Sequence, residues 1–133
     1  PIIAESGDRT PIFADANVFF EAAFRGRRGA ATAERLLANT AVLASPLTAH
    51  LLFHFGRKEG HDRTWIFSRL RELQFTEFGA AEVGWAMANC QGNDFEDALQ
   101  VACAVLHGCQ TFATFDRTLA KRYRSFIKIR VLR

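Results

Sequence analysis

The sequence predicts an α/β domain in which a mostly parallel β-sheet lies between two layers of helices, a three-layer α/β/α sandwich. Short apolar runs alternate with stretches of helical spacing along the chain, which is the order that a parallel sheet requires. The runs are apolar at nearly every position, as is typical of strands covered on both faces. The 133 residues, of which 49% are hydrophobic, match the size of one domain, so residues 1–133 are predicted to share a single core.

The first half of the chain predicts two strands, each followed by two helices. The first strand ends at Asp15, and the second ends before Ser45 and Pro46. A serine hydroxyl can cap a helix, and a proline in the first helical position loses no hydrogen bond, so a helix should begin there and end at Gly56. The predicted strands span residues 11–14 and 41–44, and the predicted helices span residues 18–24, 30–39, 46–56 and 62 or 63 to 73.

The second half predicts three more strands separated by helices. Asp94 is expected to cap the longest helix, which runs to Leu106 and is ended by Gly108. Asp116 follows the fourth strand at its carboxyl end. The predicted strands span residues 75–78, 111–114 and 127–132, and the predicted helices span residues 80–89, 94–106 and 118–123.

Four aspartates, Asp15, Asp94, Asp97 and Asp116, lie at the ends of these elements. Asp15 and Asp116 follow strands, and parallel sheets bind ligands beyond the carboxyl ends of their strands. Asp94 and Asp97 are three residues apart at a helix start, so they share a face that can point at the same crevice. Helix capping explains each aspartate separately but not their coincidence at one edge. Clustered carboxylates repel one another unless a cation neutralises them, and oxygen ligands favour Mg²⁺ or Mn²⁺.

Basic residues are concentrated in two places. The formal net charge is +3, and residues 117–133 carry arginines and lysines with no acid. A second group, Arg25, Arg27 and Arg28, follows the first predicted helix. Such surfaces commonly bind polyanions such as nucleic acid, although a solvated face that aids solubility is an equal alternative on charge alone.

The composition predicts a cytoplasmic protein without a signal peptide or membrane anchor. No apolar run reaches the roughly 18 residues that a membrane span requires. The three cysteines are odd in number and form no Cys-x-x-Cys pair, which favours a reducing compartment over a disulfide framework.

Four segments resemble the PIN-domain family, which includes the VapC-type toxin ribonucleases of bacterial toxin–antitoxin pairs. They occur in the order and spacing of that family and cover most of the chain. The segments are IFADANV at residues 12–18, ASPLT at residues 44–48, NDFEDALQ at residues 93–100 and TFATFD at residues 111–116.

The resemblance implies a Mg²⁺- or Mn²⁺-dependent ribonuclease that forms homodimers and is inhibited by a small antitoxin. By this match Asp15, Asp97 and Asp116 are the catalytic, metal-binding acids, and Asp94 is a plausible further one. Asn17 and Thr114 match supporting positions, and Ser45 lies in the matching turn. The basic side chains expected to contact the phosphates of the RNA substrate are Arg25, Arg27, Arg28, Arg117 and Lys121.

One position departs from the family pattern. Many members carry a glutamate on the helix after the second strand, and that position falls on Leu51, which cannot bind a metal. Asp94 is the residue expected to supply the missing charge. His50 and His54 flank Leu51 at a spacing that can place two imidazoles on one metal, but partly buried packing or local hydrogen bonding is the expected role.

Two other functions compete with the nuclease. The missing glutamate is compatible with a catalytically weakened PIN-like module that binds RNA or protein. A phosphatase or phospho-receiver on a similar sheet fits less well, because Asp15 is not followed by an Asp-x-Asp arrangement and no lysine follows the late strand.

Overall fold

The fold is built on a five-stranded sheet in which every neighbouring pair of strands is parallel. A computed structural model describes residues 11–24 and 26–133. The strand order is β3-β2-β1-β4-β5. The strands are β1 (Ile12–Ala14), β2 (Val42–Ala44), β3 (Gln74–Phe75), β4 (Thr111–Thr114) and β5 (Lys128–Val131).

Seven helices in the described ranges cover the two faces of this sheet. Four of the helices begin at a capping aspartate whose side chain accepts a backbone N–H of the first turn, as Asp62 does from Trp65 at 2.9 Å. The helices are α1 (Ala16–Ala23), α2 (Ala30–Asn39), α3 (Pro46–Lys58), α4 (Arg63–Leu70), α5 (Ala80–Asn89), α6 (Phe95–Leu106) and α7 (Arg117–Tyr123). The predicted three-layer α/β/α class is confirmed.

Two hydrophobic cores lie on opposite faces of the sheet because successive side chains of a strand point to opposite sides. Phe13 and Phe112 stack with ring centroids 5.4 Å apart and pack with α5, α6 and α7. On the other face, the small side chains of Ala14, Ala44 and Ala113 pack with α1 to α4. Early helices therefore cover one face of the sheet, and late helices cover the other.

The chain winds outward twice from the middle of the sheet. It runs from β1 through β2 to β3 on one side, and then returns to β4 on the other side of β1. The point where the winding direction changes therefore lies between β1 and β4, which pair through Ile12 with Thr111 and Ala14 with Ala113. In open parallel sheets this switch point opens a crevice at the carboxyl ends of the strands.

The predicted boundaries differ most around Gly56 and β3. Gly56 does not end α3, because a Cβ there would lie 2.9 Å from Cδ1 of Ile66 and the glycine serves close packing of α4. The turn comes at Gly60, whose φ of 92° suits glycine. The predicted strand 75–78 is reduced to Gln74–Phe75 at the sheet edge, and the helix predicted to reach residue 73 ends at Leu70.

Among the described residues, no helix combines the length and apolar character needed to cross a bilayer. The three cysteines are free thiols, in agreement with the prediction against a disulfide framework.

We expect Phe112→Ala to lower the free energy of unfolding by about 3–5 kcal/mol, because it removes a fully buried ring and leaves a cavity under β4. Urea unfolding followed by circular dichroism measures the change. The matched surface variant Met87→Ala, at a side chain 69% exposed, should stay within about 0.5 kcal/mol of the wild type. Equal losses for both variants would contradict the assignment of this core.

Candidate functional site

Asp15 lies at the switch point, directly after β1. Its backbone N–H donates to Ala113 O at 2.9 Å, which extends the β1–β4 pairing by one residue. Its Oδ1 accepts the N–H of Ala16 at 2.8 Å and so caps α1. The side chain is only 7% exposed, so this carboxylate is held in a fixed and largely dry position.

Thr114 and Asn17 bind the second oxygen of Asp15. Thr114 Oγ1 donates to Asp15 Oδ2 at 2.8 Å, and Asn17 Nδ2 donates to the same oxygen at 3.2 Å. Asn17 Nδ2 also lies 3.1 Å from Thr114 Oγ1, and its Oδ1 accepts the N–H of Phe115 at 3.1 Å. The hydroxyl and the amide therefore join the start of α1 to the end of β4. The supporting roles predicted for Asn17 and Thr114 therefore fall on residues that contact Asp15.

Asp116 follows at the end of β4 and caps α7. Its Oδ1 accepts the N–H groups of Thr118 at 2.9 Å and Leu119 at 3.1 Å. Its own N–H donates to Thr114 Oγ1 at 3.0 Å. The same threonine hydroxyl thus contacts both acids of the β1–β4 edge, and it fixes Asp116 beside Asp15.

Asp94 and Asp97 enter from the first turn of α6. Asp94 Oδ1 accepts the N–H of Asp97 at 3.2 Å, so Asp94 is the helix cap and remains exposed, whereas Asp97 is partly buried. The preceding loop is tied to α7, because Gln91 N–H donates to the hydroxyl of the fully buried Tyr123 at 2.8 Å. The late helices therefore bring this pair to the β1–β4 edge.

The pKa values show that these acids act on one another. Burial raises the pKa of Asp15 from 3.8 to about 6, against the lowering effect of its hydrogen bonds to Thr114 and Ala16, and the charge of Asp116 adds to the rise. Burial also raises the pKa of Asp97 to about 7, and the charges of Asp94, Asp15 and Asp116 raise it further. The four predicted aspartates thus share one electrostatic field.

The chemistry of this cluster fits a hard divalent cation. Its donors are carboxylate oxygens, and none of the ion pairs found in residues 11–24 and 26–133 gives these aspartates a basic partner. Within the same ranges, no three His, Cys, Asp or Glu side chains are close enough to hold one ion as they stand. Uncompensated carboxylates repel one another. A bound cation would relieve this repulsion and draw the side chains inward, and a proton on Asp15 or Asp97 would relieve it without a metal.

Glu96, on the first turn of α6, also belongs to this field. The side chain is exposed, but its charge contributes to the raised pKa values of both Asp15 and Asp97. Burial and Asp94 raise the pKa of Glu96 itself, while nearby His50 lowers it. The periodicity of α6 could not reveal this proximity, because His50 and Asp15 lie on other elements.

No acidic side chain of α3 replaces the glutamate that many family members carry on this helix. Leu51 is partly buried, and the flanking His50 and His54 are exposed, so the prediction that the histidines pack in a partly buried setting is wrong. Ser45 is fully buried and accepts the N–H of Leu47 at 3.0 Å, so it caps α3 rather than contacting the aspartates.

The predicted RNA-contacting residues have unequal surroundings. Arg27 lies 3.8 Å from Glu21 and stacks 5.0 Å from the ring centre of Phe55, so its charge is partly engaged within the fold. The arginine predicted at position 25 lies outside the described residues. The exposed members of the set are Arg28, Arg117 and Lys121.

Comparison with known proteins gives one family and two related structures. A family model described as PIN domain matches residues 12–125. The toxin VapC20 of Mycobacterium tuberculosis, described as cleaving the sarcin–ricin loop, is 20% identical with a TM-score of 0.70, and the match covers 90% of this chain and 98% of that one. VapBC2 of Rickettsia felis, solved with a DNA fragment from its promoter, is 14% identical with a TM-score of 0.66, and the match covers 92% and 98%. No curated protein matches significantly. At these identities the structural likeness shows the fold.

We expect Thr114→Val to destabilise the chain by roughly 1–3 kcal/mol, because it leaves buried Asp15 Oδ2 and the N–H of Asp116 without their shared partner. The pKa of Asp15 should rise above about 6, since this hydroxyl lowers it in the wild type. Chemical unfolding and NMR titration of the aspartate carboxyls measure the two effects. Thr114→Ser keeps the hydroxyl and should restore both; a serine variant as perturbed as the valine variant would argue against the hydrogen bond.

Without metal, the chain should lose stability as the pH rises from about 4 to about 7. Asp15 and Asp97 have folded pKa values of about 6 and about 7, above the ordinary 3.8, so the folded chain binds protons more tightly than the unfolded chain. That stabilisation is complete below pH 3.8 and is lost as the pH passes through the folded values. Thermal melts in chelator measure it. Asp97→Asn cannot ionise, so it should show a flatter pH dependence, and an unchanged dependence would refute the assignment.

Proposed function

The chain belongs to the PIN domain family, and from that premise we propose that it is a metal-dependent ribonuclease that hydrolyses RNA phosphodiester bonds. The family match confirms the resemblance drawn from the sequence. The observation that carries the proposal is the pair Asp15 and Asp97, whose pKa values rise to about 6 and about 7 at the switch point of the sheet. Acids whose pKa values are raised by burial and by neighbouring charges are concentrated at functional sites, which supports this proposal.

Asp15, Asp97 and Asp116 would hold Mg²⁺ or Mn²⁺, and Asp94 would add charge to the same cluster. When bound, the cation would lower the pKa of a water molecule and offset the charge that develops on the phosphate. The chain's own contribution is positional. Thr114 orients Asp15 through a 2.8 Å hydrogen bond and anchors the N–H of Asp116. No side-chain nucleophile is required, and Ser45 is buried as a helix cap.

The substrate would bind through exposed basic side chains. The exposed Arg28, Arg117 and Lys121 would contact backbone phosphates, which gives affinity without reading the base sequence. Arg27 would contribute less, because Glu21 and Phe55 already engage its guanidinium group.

We further propose that the chain is the toxin of a toxin–antitoxin pair, acts in the cytoplasm and forms homodimers. The likeness to VapC20, described as a toxin, and to VapBC2, described with promoter DNA, supports this role. The partner would be a small antitoxin protein.

Leu51 favours a second candidate function, a catalytically weakened module that binds RNA or protein. The absence of a ready three-ligand cluster in the described ranges points the same way. Cleavage and metal binding separate the two functions.

We expect labelled RNA to be cleaved with Mg²⁺ or Mn²⁺ and to remain intact with chelator. Asp97→Asn should reduce the cleavage rate by at least about a hundredfold, the scale on which enzymes depend on a group that stabilises developing charge. As a second readout, Mn²⁺ should raise Tm more at pH 8 than at pH 5, where protons compete for the carboxylates. RNA binding without cleavage under any of these metals would favour the module.

Asp94→Asn tests whether Asp94 compensates for Leu51. Asparagine caps a helix about as well as aspartate, so this change removes the charge while α6 keeps its cap. If Asp94 supplies the missing charge, the loss of cleavage should be comparable to that of Asp97→Asn. Asp62→Asn is the matched control, because Asp62 caps α4 in the same way outside the cluster. Full activity of Asp94→Asn would reject the compensating role.

A further inference from the structure

A depression of about 360 Å³ opens beside the acid cluster, between the start of α1, the α1–α2 connection and the end of β4. Two arginines, one phenylalanine ring and an asparagine contribute to its wall. The lining residues are Asn17, Glu21, Arg28, Gly29, Phe115 and Arg133. Only Arg28 and Asn17 of this set were predicted to take part in function.

The depression is continuous with the acid cluster through two residues. Asn17 lines it and also donates to Asp15 Oδ2 at 3.2 Å. Phe115 stands in sequence between Thr114 and Asp116, and its N–H donates to Asn17 Oδ1 at 3.1 Å. A molecule held in the depression would therefore lie next to the acid cluster. The end of β4 would set the distance between that molecule and the acids.

The ring of Phe115 is held in place by its contact with Gly29. A Cβ on Gly29 would lie 2.7 Å from both Cε1 and Cζ of the ring, so a side chain at this position would displace the phenylalanine. Glu21 Oε1 accepts the N–H of Gly29 at 2.9 Å and fixes the loop on which the ring packs. The ring is half-buried and contributes its remaining surface to the depression.

The charge of the depression favours an anion. Arg28 and Arg133 are exposed, whereas the one acid in the wall, Glu21, is engaged by Gly29 N–H and lies 3.8 Å from Arg27. The backbone of Arg133 is fixed, because Thr32 Oγ1 donates to its carbonyl oxygen at 2.6 Å. The rim therefore combines two available guanidinium groups with an ordered aromatic ring.

We propose that this depression is a nucleotide subsite in which an unpaired RNA base stacks on Phe115 and the adjoining phosphates bind Arg28 and Arg133. Base–aromatic stacking together with arginine contacts is the usual means of holding a single strand. The subsite rests on the proposed function, since it names how the RNA substrate is seated beside the acids. It selects unpaired nucleotides and tolerates any base.

Binding of fluorescein-labelled single-stranded RNA, measured by anisotropy in chelator, tests the stacking contact without cleavage. Phe115→Leu keeps an apolar side chain over Gly29 but removes the aromatic ring, and we expect affinity to fall about five- to a hundredfold. The same RNA with abasic sugars should bind the wild type more weakly, and should bind Phe115→Leu and the wild type equally. An unchanged affinity of Phe115→Leu, or an equal loss on both RNAs, would overturn the proposal.

The phosphate contacts are tested by the salt dependence of binding. The double variant Arg28→Ala with Arg133→Ala should flatten the slope of log affinity against log salt by about 0.7 for each phosphate of the single strand that it no longer binds. Arg71→Ala is the matched control. This exposed arginine precedes β3, the outermost strand on one side of the sheet, whereas Arg133 follows β5, the outermost strand on the other side. A slope identical to that of the control would remove both arginines from the subsite.

A circular-dichroism melt of each variant identifies any loss of binding that comes from unfolding. If Phe115→Leu unfolds, Gly29→Ala provides the second test, because its Cβ displaces the ring while the aromatic group remains. It should also reduce the preference for base-containing RNA over abasic RNA; an unchanged preference would contradict the subsite.

The outcomes for the subsite and for the nuclease are separable. Stacking without cleavage under any metal would support the subsite and reject the nuclease. Cleavage by the wild type, together with unchanged RNA binding by Phe115→Leu, would support the nuclease and reject the subsite.

Discussion

The parallel pairing of β1 with β4 is the constraint on which the rest of this structure depends. These strands are neighbours in space but are separated in sequence by more than half of the chain, and their pairing closes the sheet between its two windings. It also brings the residues that follow each strand to one edge. Asp15 N–H bonds to Ala113 O, and Thr114 Oγ1 bonds to Asp15 Oδ2, so the acid site continues the sheet ladder through side chains. The geometry of the acids is therefore inherited from the sheet.

The same placement imposes an electrostatic cost. Burial and neighbouring charges hold the pKa of Asp15 at about 6 and that of Asp97 at about 7, so the fold disfavours the ionised state that a metal ligand requires. Stable proteins usually pair a buried charge, and the hydrogen bonds from Thr114 and Ala16 only partly offset this penalty for Asp15. A cation would relieve the repulsion in every member at once. Under the proposed function, this stored repulsion is what makes the cluster receptive to a divalent metal.

The sequence predicted most of the framework because its signals are local. Alternating apolar runs and caps such as Asp94 and Ser45 identified the helices and strands, and the carboxyl-end rule placed Asp15 and Asp116 together. What it missed depends on contacts between distant segments. Gly56 predicted a helix end, but it lies inside α3, where its missing side chain leaves room for Ile66 of α4. Arg27 was predicted to contact RNA phosphates, and the sequence did not indicate its contacts with Glu21 and Phe55.

Phe115 shows how a residue can be hidden from sequence reasoning and still connect two parts of a site. A phenylalanine between two strand-end polar residues suggests core packing, and its ring does pack on Gly29. Its N–H nevertheless donates to Asn17, which in turn donates to Asp15, so hydrogen bonds connect the backbone of Phe115 to this acid. If a base stacks there, the position of the phosphate relative to the acids is set by the backbone at the end of β4. Because stacking tolerates any base, such a site would recognise where the RNA is unpaired rather than what its sequence is.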